Sequence, residues 1–442
     1  MLRQVAISCL IVAMALPAAA RTRPHYGGTL RVDIEGEVWQ RPGGLARRLV
    51  LDGLTRMEAD GAVHPALAVR WESENQDHRW QFWLRPGVHF HDGSVLTAVV
   101  VLNALNSACG ANCPWAAVHI VGLSVVFTCD SPMPNLPALL AGDQYLISTD
   151  ATGSIGTGPF QLNGFNNAVM TLSANENCWQ GRPFVDAVEI RVHRAIRDQW
   201  LDLSIGRADL VEVPAEQLRQ AHEQRLTVLQ SPPVSLLALS VASSGVLGNP
   251  DLRAAIALAV DRGALSNVIF QKQGEVTASL LPSALSGYSF LFPTERDLNK
   301  SHEKHGGFTP PPLTMAEPGG SAMQLAAQRI ALNLHDAGFN VQVVAEGGTR
   351  PADLALLRLP LASNQPQAAL EAMLRSTGIQ SPVLEQSPAA LYKVERDFLE
   401  THTLIPLLYL PRAYAIGSRV RDLRLSPDGT PLLAGASLED AP

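Results

Sequence analysis

Two pairs of histidines stand at spacings that could serve chemistry. His89 and His91 flank Phe90, and on a strand a two-residue step puts both imidazoles on one face, as a metal pair requires. Zinc needs a third protein ligand, however, and Asp92-Gly93 directly afterwards reads as a turn closing the strand. His302-Glu303-Lys304-His305 spaces its histidines three apart, not the four of a zinc-protease helix, and reads as part of a solvated loop. Ser301-x-x-Lys304 matches one serine-nucleophile motif in outline, but the companion Ser-Asp-Asn and Lys-Thr-Gly are absent. Gly153, Gly156 and Gly158 form a Gly-rich loop with neither a P-loop Gly-Lys-Ser/Thr nor a Gly-x-Gly-x-x-Gly, so it reads as a tight turn ahead of a strand at Phe160. No catalytic residue, metal or cofactor is expected from these fragments.

Cysteines and aromatics carry the remaining signal. Beyond Cys9 lie Cys109, Cys113, Cys129 and Cys178, an even number that in an oxidising compartment predicts two disulfides with three possible connectivities. Cys109 and Cys113 could close a tight loop through Gly110-Ala111-Asn112. Trp39, Trp115, Tyr145 and Trp179 fall outside strong periodic patterns. Each reads as a loop anchor or as packing between lobes, with ligand contact as the alternative.

These residues must be positioned by a mixed set of elements. Strands are expected at 28–34, 79–84, 119–128, 160–175 (a hairpin turning at Asn166-Asn167), 185–193, near Leu313, at 340–345 and at 405–410. Helices are expected over 45–57, 98–108 after a Thr97 cap, 251–260 after Asn249-Pro250, 262–270, 321–337 and 388–400. Residues 293–312, with Gly306-Gly307 and Pro310-Pro311-Pro312, lack periodicity and read as an irregular surface connection. No repeat is visible, and the alternation argues for an α/β protein of several lobes.

Composition narrows the class. The chain has 442 residues, 46% hydrophobic, with a formal charge of −7. No basic run offers a nucleic-acid face. Arg3, an apolar run over 5–16 and Ala18-Ala19-Ala20 make a signal peptide cleaved after Ala20, so the mature protein is expected in the periplasm. The run is too short to span a bilayer, which takes about 20 apolar residues.

A longer pattern then stands out. Leu67-Ala68-Val69-Arg70-Trp71-Glu72 resembles the phrase "LAxxWE", and residues 84–98, Leu-Arg-Pro-Gly-Val-His-Phe-His-Asp-Gly-Ser-Val-Leu-Thr-Ala, resemble "LRxGVxFHDGxxLTA". Gly156-Thr157-Gly158-Pro159-Phe160 is similar to "GTGPY/F", residues 175–183 to "NxxYWxGxP" with Cys178 in the Tyr position, and residues 251–262 to "xVRxAxxxAIDR". In this order, over about 27–290, the motifs resemble those of the family 5 extracellular solute-binding proteins, the periplasmic oligopeptide-, dipeptide- and nickel-binding proteins of ABC importers.

The resemblance implies an α/β fold of the type II periplasmic-binding-protein kind in three lobes. Lobe I would combine 21–44, 156–240 and 405–442, lobe II would be 45–155, and lobe III 241–404. It implies no enzyme activity and no cofactor. It implies a monomer that captures a small organic solute, a peptide or peptide-like molecule, between lobes I and III for an ABC permease. The family's "DPxxAxxLLxxAG" helix has no counterpart at 296–312, and its acidic "WxxDxxDP" segment is replaced by Arg358-Leu359-Pro360-Leu361-Ala362-Ser363-Asn364-Gln365-Pro366. A shortened third lobe follows, without an acidic anchor for a peptide amine. By position, the family's ligand residues map to Trp39, Tyr145, Ser240, Ser243, Ser244 and Arg358. The alternative is a degenerate binding protein serving as a periplasmic sensor or protein partner.

Overall fold

The computed structural model describes residues 25–36, 45–58, 62–109, 113–347, 351–361, 363, 365–378 and 387–439. The proposed signal peptide and Trp39 lie outside them.

One large mixed sheet organises the molecule. Its strands run in the order Val341–Ala345, Leu313–Glu317, Leu354–Pro360, Thr227–Val241, Leu404–Ile416, Leu210–Glu212, Thr29–Asp33, Ala187–Arg191, Val169–Ala174 and Phe160–Asn166. Two long strands, Thr227–Val241 and Leu404–Ile416, lie at its centre and pair with each other antiparallel along most of their length. The ladder between them loses register around Gln230, Pro233 and Ser235. The cause is chemical: Pro232 and Pro233 have no N–H to donate.

Separate apolar cores flank the two ends of this sheet. Leu30, Val32, Leu172, Val188 and Ile190 build one side of the first end, and Val211, Val213, Leu218 and Ala415 the other. At the second end Leu237, Leu239, Met315, Ile330 and Leu356 cover one face, while Leu236, Ala238, Leu370 and Leu404 cover the opposite face. Burial on both faces explains the nearly unbroken apolar runs Val234–Val241 and Leu404–Leu410. A four-stranded sheet, Ala68–Glu74, Arg79–Leu84, Ser124–Thr128 and Ala117–Val121, holds its own core of Phe82, Phe127, Trp115, Tyr145 and Leu136. The parts built on these cores are called lobes I, III and II in that order below. The architecture is α/β, of the type II periplasmic-binding-protein kind.

Local structure follows the sequence signals in most places. Thr97 Oγ1 accepts the Val100 N–H at 3.3 Å at the start of helix Ala98–Cys109, and Asn249 Oδ1 accepts the Asp251 N–H at 2.9 Å ahead of helix Pro250–Ala259. Three expectations need correction. The helix expected over 45–57 ends at Val50, because Leu51 is extended, Asp52 bridges to Ile147, and Thr55–Met57 pairs with Val63–Pro65. The strand expected over 119–128 is a hairpin turning at Gly122, whose φ is +59°. The irregular stretch 293–312 contains a helix, Leu298–His305. Asp297 caps it by accepting the Lys300 N–H at 3.0 Å, left-handed Gly306 ends it, and buried Ser301 ties it to Ala255 O at 2.8 Å. The third lobe therefore has a helix where the sequence comparison left a gap.

No disulfide joins the described cysteines, which corrects the pairing expected for Cys109, Cys113, Cys129 and Cys178. Cys129 is buried within the lobe II core, and Cys109 and Cys113 pack against that core as a thiol pair. Cys178 lies apart, near Asp52. Burial pushes the Cys129 and Cys178 thiols up to about 11 and Cys109 to about 12. Protonated and desolvated, they behave as small apolar side chains.

Candidate ligand-binding cleft

The histidine and glycine motifs serve the fold. His91 Nε2 donates to Gly158 O at 3.0 Å, and its Nδ1 accepts the Gly156 N–H at 3.4 Å, so both ring nitrogens are occupied by backbone. Gly156 and Gly158 are glycines because the chain passes against residues 49–51: a Cβ on Gly156 would lie 2.0 Å from Val50 O, and one on Gly158 2.6 Å from Leu49 O. Trp179 is an anchor. Its indole N–H donates to Asp52 Oδ2 at 2.8 Å beside the Thr157 hydroxyl at 2.8 Å, and the Arg85 guanidinium covers its ring at 4.4 Å.

A concavity of about 910 Å³ opens between lobes I and III beside the crossing strands. Lobe I contributes Glu35 at the end of the first strand, Glu212 at the end of Leu210–Glu212, and Glu216 on the 3-10 turn Ala215–Gln217. Arg412 comes from the crossing strand Leu404–Ile416. Lobe III contributes Arg358 from strand Leu354–Pro360, together with Pro318, Gly319 and Gly320 leading into helix Ser321–Asp336. Gly319 and Gly320 both have φ near +90°, a conformation that keeps side chains off this wall.

Burial sets the charges in the cleft. The walls desolvate Glu212 and raise its carboxyl above the ordinary range, although Oε2 accepts the Glu35 N–H at 2.6 Å and the Gln199 amide at 3.4 Å. Glu216 is raised for the same reason, with Arg358 opposing the rise. Arg358 is reached by the solvent filling the cleft but is surrounded by its walls, which lower the guanidinium's proton affinity. Glu216 opposes that shift and Arg412 adds to it.

The model of bacterial extracellular solute-binding proteins, family 5 (middle) matches residues 62–381. The chain belongs to this family. A probable di/tripeptide-binding protein 5 of Pseudomonas aeruginosa is 25% identical to this family 5 protein over 342 residues, 65% of each chain. The uncharacterized protein YhjP of Bacillus subtilis is 27% identical over 51% of this chain and 39% of its own. The family 5 chain thus matches between about two fifths and just under two thirds of these curated relatives' lengths. Among solved structures, the periplasmic binding protein DppA of Helicobacter pylori with the peptide STSA superposes with a TM-score of 0.82 at 18% identity, over 94% of this chain and 99% of that one. NikA of Staphylococcus aureus with Ni(L-His)2 gives 0.80 at 16%, over 93% and 100%. These similarities establish the fold, and the family is one of solute-binding proteins.

The residues expected to touch ligand are scattered in this family 5 structure. Arg358 lines the cleft. Tyr145 is buried in the lobe II core against Trp115, with ring centroids 5.3 Å apart. Ser240 pairs with Ala355 and Leu404 beyond the cleft, and Ser243 and Ser244 lie exposed in the turn that follows. Sequence reasoning passed over Glu35, Glu212, Glu216 and Arg412. The usable signal was Pro318-Gly319-Gly320 before a helix, which marks close approach of backbone to a cavity.

Proposed function

We propose that this chain is the substrate-binding component of an ABC importer, carrying a small organic solute of peptide or peptide-like kind to a membrane permease. The observation that carries this reading is the cleft of about 910 Å³ lined by charges from both lobes. Two strands cross between the lobes there, and their ladder is broken by prolines. A solute that touches both walls only when the lobes approach shifts the population toward a closed form, the shape a permease would read.

The volume suits a di- or tripeptide, consistent with the name of the Pseudomonas relative. Among the described residues no helix is long and apolar enough to cross a membrane. In this proposal the protein is exported, cleaved after Ala20, and works in the periplasm as a monomer. Its lobes are 21–44 with 156–240 and 405–442, then 45–155, then 241–404. Arg358 contacts ligand, and Trp39, which follows cleft residues Glu35 and Gly36 in sequence, is the second candidate.

A thermal-shift screen of the purified protein against peptides, amino acids, amines, sugars and metal ions tests the reading. Ligand at 100 times its dissociation constant stabilises the folded state by about 2.7 kcal/mol. A folded protein that no class stabilises would refute a carrier role.

A further inference from the structure

Lobes II and III share no sheet, since the four-stranded sheet of lobe II is separate from the large one. They touch through side chains instead. The Asn135 amide of lobe II donates to Gln367 Oε1 of lobe III at 3.0 Å. Gln367 lies in the first turn of helix Pro366–Ser376 and is 6% exposed. Its Nε2 donates to Glu371 Oε1, one turn further on, at 3.0 Å. A carboxylate only accepts, so this bond fixes which end of the Gln367 amide faces lobe II: the carbonyl oxygen, which needs a donor.

Asn135 supplies that donor at the expense of a local role. It stands at the N-cap of helix Leu136–Leu140, where an asparagine oxygen commonly accepts a helix N–H, yet its side chain makes no cap bond. One turn beyond Glu371, Arg375 comes near enough to Tyr145 of lobe II to oppose the rise that burial gives the phenol. Gln367, Glu371 and Arg375 therefore form one polar stripe along the helix.

The other seam of lobe II is built differently. Asp52 accepts from Thr157 and Trp179, His91 bonds to the backbone of Gly156 and Gly158, and those glycines pass too close to residues 49–51 for a Cβ. Parting lobe II from lobe I would unpack these buried contacts. Parting it from lobe III exchanges a neutral amide pair for water, a small change in free energy, and polar contacts between domains are the kind that open.

We propose that Asn135 and Gln367 form a latch, tying lobe III to lobe II when the lobes are closed and releasing it when they open. This rests on the reading of the molecule as one whose lobes open and close around a solute. The latch sets the ratio of closed to open protein before any solute arrives. It therefore tunes affinity for every solute alike and leaves their ranking unchanged.

Small-angle X-ray scattering of the solute-free protein tests this, with urea unfolding alongside. Asn135→Ala and Gln367→Met are each expected to raise the open-to-closed ratio about fivefold, seen as a larger radius of gyration. The double variant should open no further than either single one, because both changes remove the same bond. The urea midpoint of Asn135→Ala should match wild type, since its side chain caps no helix. Single variants that scatter like wild type overturn the latch, as does a double variant whose opening is the sum of two. A lowered midpoint with unchanged scattering marks a structural role and overturns it too. The measurement needs no solute, so its failure leaves the carrier reading to the solute screen. A folded protein that no solute stabilises overturns the carrier reading, while scattering still decides the latch.

Discussion

Replacing Asp52 tests how the turn after Cys178 is fastened to lobe II. Asp52 is 9% exposed and accepts the Thr157 hydroxyl and the Trp179 indole N–H, both at 2.8 Å, and the Gln180 amide at 3.3 Å. Hydrogen bonds to a charged acceptor contribute about 1.5–3 kcal/mol each, and a buried donor left unmatched costs about 1–3 kcal/mol. Gln180 can turn to water, so two donors count. Against this, removing Asp52 relieves a carboxylate that burial itself disfavours, and burial outweighs the Trp179 and Thr157 bonds in raising its proton affinity. The balance for Asp52→Ala is a loss of about 2–4 kcal/mol. Asp52→Asn keeps a neutral acceptor and should lose about 1 kcal/mol.

Urea unfolding followed by tryptophan emission reads this directly, since Trp179 is one of the partners. The pH dependence has a definite sign. A carboxyl raised in the folded state contributes stability that is full below the unfolded value, about 4, and lost as pH rises through the folded value. The advantage of wild type over Asp52→Asn should therefore shrink as pH is raised above about 4. An alanine variant within about 0.5 kcal/mol of wild type, or a gap that widens with pH, would refute the reasoning.

Other substitutions probe separate parts of the frame. Gly156→Ala drives a Cβ to 2.0 Å from Val50 O and should cost about 3 kcal/mol or prevent folding, seen as loss of soluble protein or a lowered urea midpoint. Tyr288→Phe removes the hydroxyl that donates to the buried Glu395 carboxylate at 2.8 Å and should cost about 1–3 kcal/mol by the same unfolding assay. Phe82→Ala empties a fully buried position in the lobe II core and should cost about 3–5 kcal/mol. Asn249→Ala removes the cap of helix Pro250–Ala259 and should cost about 1 kcal/mol.

Local motifs made much of this fold legible. Asn249-Pro250 opens a helix where a cap and an N1 proline should, and Asn167 and Ala168 take the positive φ of the hairpin turn expected at Asn166-Asn167. Helix Leu298–His305 escaped because it is short and polar, its outer face in water, so apolar periodicity is weak and the following glycines and prolines dominate. Its Asp297 cap and Gly306 stop were readable by chemistry alone. The cysteine count misled because Cys129 and Cys178 are buried apart from each other, and Cys109 and Cys113 stand as a thiol pair without a bond. The cleft is harder to read from sequence. Glu216 sits in Val213-Pro214-Ala215-Glu216-Gln217, which has no periodicity, and it approaches Arg358 only because two long strands carry the lobes past each other. Contact made by topology leaves no local trace.

The sheet's connectivity also dictates an order of assembly during synthesis. Thr29–Asp33 pairs with Ala187–Arg191 and Leu210–Glu212, but Leu210–Glu212 needs Tyr414–Ile416 on its other side. Thr29 O receives its last hydrogen bond from Arg419, at 2.8 Å. The lobe that holds Thr29–Asp33 is therefore completed only when residues 414–419 have been made, while the Phe82 core needs residues no later than Ile147. Long-range closure of this kind is slow. A nascent chain stalled before residue 400 should therefore protect its lobe II segments from protease and leave Thr29–Asp33 open to cleavage.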